Sequence, residues 1–254
     1  MTDIQAAAAQ LAALWRSGEQ IEALPPELRP ADLNAGYDIQ DALIAQIGEP
    51  VVGWKLGLGS YRQRREIGFG RPVAGRVLGC RRFRMGDTVP VPDAAPVTIE
   101  FEIAFVLGRD VPPDAPLPPA EAIGETRVTF ELVRSRFRDR TRVGWPSFAA
   151  DNAGFDALVV GEPIDPASIR DLTTSLVVSA DGVERARAAT GEDASDPVQA
   201  LADLMALARE RGMLLPKGSV ISTGTASVPF AISGATQVTA RWNGGEAGFR
   251  TRLA

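Results

Sequence analysis

At 254 residues, 45% hydrophobic and 23% charged, the chain has the composition of a soluble globular protein, sufficient for one large domain with or without a small appended lobe. The net charge of −5 argues against a nucleic-acid binder, which needs a basic surface to meet phosphates. Histidine is absent, which excludes Ser-His and Cys-His nucleophile pairs and His-ligated zinc or iron, and leaves oxygen ligands suited to magnesium, manganese or calcium.

No run approaches the roughly 18 apolar residues that span a bilayer, and the Ala-rich opening carries Asp3, Gln10 and Arg16 rather than a signal-peptide pattern. A cytoplasmic protein with no membrane or nucleic-acid partner is expected. The single cysteine, Cys80, cannot form an intrachain disulfide and reads as a small buried apolar residue. Basic clusters at 62–65, 81–84 and 134–142 read mostly as solvated edges.

In chain order, Ile4, Ala8, Leu11, Ala12 and Trp15 predict an amphipathic helix over 2–18, followed by a Pro-rich linker at 25–30. A second helix is expected over 31–47, buried through Leu33, Tyr37, Leu43, Ile44 and Ile47, with Gln40 interrupting the stripe. Residues 51–58 read as a short apolar strand with Lys55 in its middle. That lysine either snorkels to an edge or sits in a cavity with a carboxylate partner. A helical turn at 61–67, a strand at 72–78 and an edge segment at 89–92 follow.

The stretch Thr98 to Leu107 is the most informative. Alternation puts Ile99, Phe101, Ile103, Phe105 and Leu107 on one side of a strand, and Glu100 with Glu102 on the other. Two ionised carboxylates one pleat apart repel, so the face is either wet or holds a cation.

Residues 112–119 read as a loop, and 125–138 as a long strand in which Glu131 is a third acid. Residues 145–154 read as a short helix and turn, and 157–161 as a strand. Residues 172–180 are expected to pair through Asp181-Gly182 with 183–186 in a hairpin. Asp196-Pro197 caps a helix to Gly212 with Val198, Leu201, Leu204, Met205 and Ala208 inward. A strand at 219–224 and a hairpin of 237–242 with 248–253 around Asn243-Gly244-Gly245 complete the pattern. The class is α+β with a mostly antiparallel or mixed sheet.

Five segments in register resemble one family: Val51–Leu58, Ile99–Leu107, Glu131–Asp139, Ala150–Ala153 and Ser222–Gly224. The family is the 2-keto-4-pentenoate hydratases and 4-oxalocrotonate decarboxylases of the fumarylacetoacetate hydrolase superfamily. The resemblance implies a mixed, partly rolled β core over 49–254, with an N-terminal helical segment at 1–48 packed on it. It implies Mg2+ or Mn2+ held by Glu100, Glu102 and Glu131, a catalytic Lys55, and Leu58, Thr223 and Gly224 beside the substrate. The expected enzyme is a homo-oligomeric lyase of a small 2-oxo acid, hydrating 2-oxopent-4-enoate or a related compound from aromatic-ring breakdown. A 4-oxalocrotonate-type decarboxylase, a C–C hydrolase of the superfamily and a catalytically weakened partner subunit are the alternatives. Gly70 and Gly154 stand where family hydratases often carry polar groups, which leaves Asp139, Asp151 or water as substitute proton handlers.

Overall fold

The computed structural model describes residues 2–92, 96–115 and 117–254. Two helices open the chain, α1 (Ile4–Ser17) and α2 (Leu33–Ile47), each capped by an aspartate and ended by a left-handed glycine. They pack on one another through Ala8, Leu11, Ile39 and Leu43, and on Phe137 and Ala150 beyond. Gln40, the break in the apolar stripe of α2, is fully buried and donates to the carbonyls of Ala74 and Ala149 at 3.0 and 2.6 Å. Its amide thus satisfies two carbonyls at the join between helix and sheet.

The strands are β1 (Val51–Gly57), β2 (Val73–Leu78), β3 (Arg82–Arg84), β4 (Thr88–Val91), β5 (Val97–Leu107), β6 (Ile123–Val133) and β7 (Phe155–Ile164). After them come β8 (Val177–Ala180), β9 (Val183–Arg187), β10 (Val220–Thr225), β11 (Phe230–Ile232), β12 (Gln237–Trp242) and β13 (Gly245–Leu253). Short helices α3 (Tyr61–Ile67), α4 (Pro119–Ala122), α5 (Gly144–Ala150) and α6 (Ile169–Ser175) and the longer α7 (Pro197–Glu210) lie between them. The larger sheet runs β2-β1-β10-β5-β6-β7-β3, with β11 added on β5; the smaller runs β4-β13-β12-β8-β9. Pairing is mixed, parallel in β1–β10, β3–β7 and β4–β13 and antiparallel elsewhere.

The main core lies between the sheets. Phe101 and Phe130 meet edge to face at 5.0 Å, and Phe249 and Trp242 of the smaller sheet close on them at 5.1 and 5.8 Å. The opposite face of the larger sheet is curled: Val77 and Leu78 of β2 share a second apolar cluster with Phe155, Leu158 and Val160 of β7, strands far apart in sheet order. This rolled face carries Glu100 and Glu102.

Several expectations are corrected. The strand expected to reach residue 138 ends at Val133, because Arg134 N–H donates to Gly154 O and the Asp151 carboxylate takes the Arg136 N–H in place of a neighbouring strand. Residues 172–175 are helical: the hydroxyls of Thr173, Thr174 and Ser175 bond back to carbonyls one turn earlier, so β8 begins only at Val177. Val198 sits in the outward-facing first turn of α7 and is 48% exposed. Cys80 is exposed, placed in the tight turn that follows β2. Arg64, Arg134 and Arg136 are buried rather than on solvated edges. The expected loop at 112–119 gives way to α4 at Pro119; Pro116 lies outside the described residues.

Candidate metal centre and active site

Strand register assembles the site. Glu100 faces Glu131 across the antiparallel β5–β6 pair, and Glu102 faces Thr129. Lys55 faces Ser222 across β1–β10, and Ser222 faces Ala104 of β5. Directly paired residues point to the same side of a sheet, so Lys55, Ser222, Thr129 and the three glutamates share one face. One oxygen from each of Glu100, Glu102 and Glu131 lies within 4.8 Å of the others. Glu102 and Glu131 are fully buried and Glu100 partly so, which removes the wet-face alternative.

Lys55 is 1% exposed, so it does not snorkel. Its Nζ lies 2.8 Å from Glu131 Oε1 and donates to the Ala153 carbonyl at 2.9 Å. Ser222 Oγ donates to Glu102 Oε2 at 2.5 Å and lies 2.7 Å from Thr129 Oγ1. Glu102 Oε1 and Glu131 Oε2 have no hydrogen-bond partner among the described residues. Burial, aided by repulsion from Glu131 and Glu100, holds the Glu102 carboxyl well above the usual carboxylate range. Burial also pushes Glu131 up to about 7, against the pull of the Lys55 ammonium. Orphaned, mutually repelling, buried oxygens fit a hard divalent ion, since an oxygen-only set suits magnesium, manganese or calcium.

The segment Ser222–Gly224 divides its groups. The Thr223 hydroxyl donates to the Ile103 carbonyl at 2.7 Å, on the opposite side of the strand from Ser222, and so is not brought to the glutamates. A register shift after Ser222 turns the Gly224 N–H toward Glu102 Oε2 at 3.1 Å. Leu58 holds a left-handed φ of 62°, and the chain beside it lies close against Gly224, whose Cα is 3.2 Å from a Cβ built on Gly59. Ser222 and Ala153 lie in two of the family-like segments, but their roles, like that of Thr129, were not visible from sequence, because each reaches the site through pairings to distant segments. The asparagine and glycine of Asp151-Asn152-Ala153-Gly154 were the available hint, being residues that favour left-handed turns.

That turn presents the carbonyl to Lys55. Asn152, Ala153 and Gly154 have φ values of 52°, 50° and 70°. Asn152 Oδ1 accepts from the Arg76 N–H at 2.6 Å while its Nδ2 donates to Arg76 O at 2.9 Å, clamping the turn to β2. Asp151 is fully buried and accepts from Ser135 Oγ and from the backbone and side chain of Arg136. Asp139 is exposed and accepts from the Thr141 N–H and hydroxyl. Neither aspartate is directed to the centre. Gly154 is required: a Cβ there meets Phe148 and Val133 at 3.0 Å, whereas one at Gly70 meets nothing within 4 Å. Gly70 lines a small cavity of about 330 Å³ with Tyr61, Arg64 and Phe69. A larger groove of about 1300 Å³ beside α1 and β4 includes none of the expected site residues.

Residues 82–243 match the model of the fumarylacetoacetate (FAA) hydrolase C-terminal family. The chain is 30% identical over 252 residues to a 2-keto-4-pentenoate hydratase of Paraburkholderia phymatum, covering 95% of this chain and 94% of that one. It is also 30% identical over 233 residues to a 4-oxalocrotonate decarboxylase of Pseudomonas sp. CF600, covering 86% and 84%. Among solved structures, a 4-oxalocrotonate decarboxylase from Pseudomonas putida G7 complexed with magnesium and adipate superposes with a TM-score of 0.83 at 22% identity, covering 99% of this chain and 97% of that one.

Proposed function

The chain belongs to the fumarylacetoacetate hydrolase family, and from that membership we propose that it is a magnesium-dependent lyase of a small 2-oxo acid. Its main reaction is hydration of 2-oxopent-4-enoate or a related compound in aromatic-compound breakdown. The observation that carries this reading is the convergence of Glu100, Glu102 and Glu131 beside a buried Lys55 in a chain without histidine.

Those three glutamates would hold the ion, with manganese able to replace magnesium. When bound, it supplies Lewis acidity toward the keto and carboxylate oxygens of a 2-oxo acid. Lys55 keeps a fixed positive charge where an enolate develops. An ammonium has three donors, and with Glu131 and Ala153 taking two, the third remains for substrate. Ser222 orients Glu102 through its hydroxyl, and the Gly224 N–H braces the same oxygen. Leu58, Thr223 and Gly224 border the substrate through their backbone. The catalytic core spans 49–254, with 1–48 packed on it, and the protein works as a cytoplasmic homo-oligomer. Among the described residues, no helix is long and apolar enough to cross a membrane.

Decarboxylation of a 4-oxalocrotonate-type diacid is the second reading. It is favoured by the engagement of Asp139 and Asp151 elsewhere and by the steric demand for glycine at 154, since losing carbon dioxide requires fewer proton donors at the site than adding water.

The test is to strip divalent ions with a chelator, restore magnesium, and follow the absorbance of 2-oxopent-4-enoate and of 4-oxalocrotonate. Magnesium-dependent turnover of either supports the lyase reading, and the faster substrate selects between the two reactions. Ion binding with no turnover of any 2-oxo acid would overturn it in favour of a partner subunit.

A further inference from the structure

A short chain of hydroxyls ends on Glu102. β10 and β6 lie on either side of β5, and a side chain from each meets the other across it. Ser222 Oγ of β10 lies 2.7 Å from Thr129 Oγ1 of β6 and continues to Glu102 Oε2 at 2.5 Å. Thr129, Ser222 and Glu102 are all fully buried. The order of donors follows from counting protons. A hydroxyl has one, and a carboxylate that holds a cation is ionised and can only accept. Ser222 therefore gives its proton to Glu102, and Thr129 gives its own to Ser222.

The two oxygens of Glu102 are consequently unequal. Oε2 accepts from Ser222 Oγ and, at 3.1 Å, from the Gly224 N–H, which fills the lone-pair sites that one carboxylate oxygen offers. Oε1 has no hydrogen-bond partner among the described residues. Glu131 is divided in the same way, with Oε1 2.8 Å from the Lys55 ammonium and Oε2 left over. Each of these glutamates thus offers a cation one atom. Calcium gathers about six to eight oxygens and often takes both atoms of a carboxylate, whereas magnesium and manganese take about six in a stricter octahedral set. A carboxylate with one oxygen already occupied suits the second kind of ion better than the first.

We propose that Thr129 and Ser222 are positioning residues that hold Glu102 to one-atom contact through Oε1 and thereby make the centre selective for magnesium and manganese over calcium. The inference rests on the divalent-ion reading above and adds to it which ions the centre prefers and which side chains decide the preference. Thr129 acts through Ser222: by donating to Oγ it keeps the serine proton aimed at Oε2.

Titration calorimetry of the metal-stripped protein with Mn2+ and with Ca2+ tests this. The unmodified protein should bind Mn2+ more tightly than Ca2+. Ser222→Ala releases Oε2, so Mn2+ affinity should fall about 10- to 100-fold while Ca2+ affinity changes much less, and the preference narrows. Thr129→Val keeps the side-chain shape and should narrow it by about 3- to 10-fold, the worth of one neutral hydrogen bond, whereas Thr129→Ser keeps the hydroxyl and should retain the parent's preference. Thr129→Val added to Ser222→Ala should cost nothing further, because its route to the ion is already gone. A preference for Ca2+ in the unmodified protein, an unchanged Mn2+ to Ca2+ ratio in Ser222→Ala, or losses from the two substitutions that add overturns the proposal. Failure of the divalent-ion reading looks different: neither ion would bind the unmodified protein, and the proposal would fall with it.

Discussion

Two buried polar clusters lie side by side, joined by the turn at 151–154, and they are built on opposite rules. Around Asp151 every charge is answered: Oδ2 accepts from Ser135 Oγ and the Arg136 N–H, Oδ1 from Arg136 Nε, and the guanidinium also reaches the carbonyls of Phe155 and Asp151. Around Glu102 and Glu131 three carboxylates face one ammonium, and oxygens are left over. A buried ionic group held for structure is matched, because an unmatched one costs several kcal/mol. A cluster left unmatched is relieved either by protonation or by a cation.

The contrast can be broken by mutation. The largest effect is expected from Asp151→Ala, which strands the buried Arg136 guanidinium and should cost about 3–5 kcal/mol of unfolding free energy in urea. Glu102→Gln puts a neutral isostere where burial and repulsion already disfavour the charged carboxylate, so the metal-free variant should be no less stable than the parent; a loss equal to that of Asp151→Ala would erase the distinction. The same Glu102→Gln change should weaken Mn2+ binding by about 100-fold or more by calorimetry, because the proposed cage would lose a charged oxygen. Lys55→Ala should lower kcat by about 10- to 100-fold while changing ion affinity much less; comparable losses in both would make the lysine part of the ion's cage. The smallest effects separate the two glycines. Gly154→Ser must adopt a φ of 70° against Phe148 and Val133 and should cost about 1–3 kcal/mol, whereas Gly70→Asp should stay within about 0.5 kcal/mol in the same melts.

What could be read beforehand was whatever alternation carries. The two faces of β5 follow from period-2 patterning, and Glu131 falls among strand formers, so both were legible without knowing what lies opposite. Register was not. The pairing of Lys55 with Ser222 joins strands that no local pattern connects, and it decides that Ser222 rather than Thr223 reaches Glu102. The end of β6 was hidden for a related reason: residues 134–138 carry no glycine, proline or other local stop, and only the distant Asp151 draws them from the ladder. Leu172–Ser175 misled in the other direction, since Thr and Ser suit a strand until their hydroxyls find carbonyls within a helix.

The ammonium of Lys55 is tethered by a main-chain oxygen, that of Ala153, and no exchange of side chain at 153 can delete it. What can disturb it is a change in handedness. Ala153 holds a dihedral that alanine disfavours by about 1–2 kcal/mol, sustained by the asparagine before it and the glycine after it. The lysine's position therefore depends on backbone handedness at Ala153 and on the two neighbours that help to hold it.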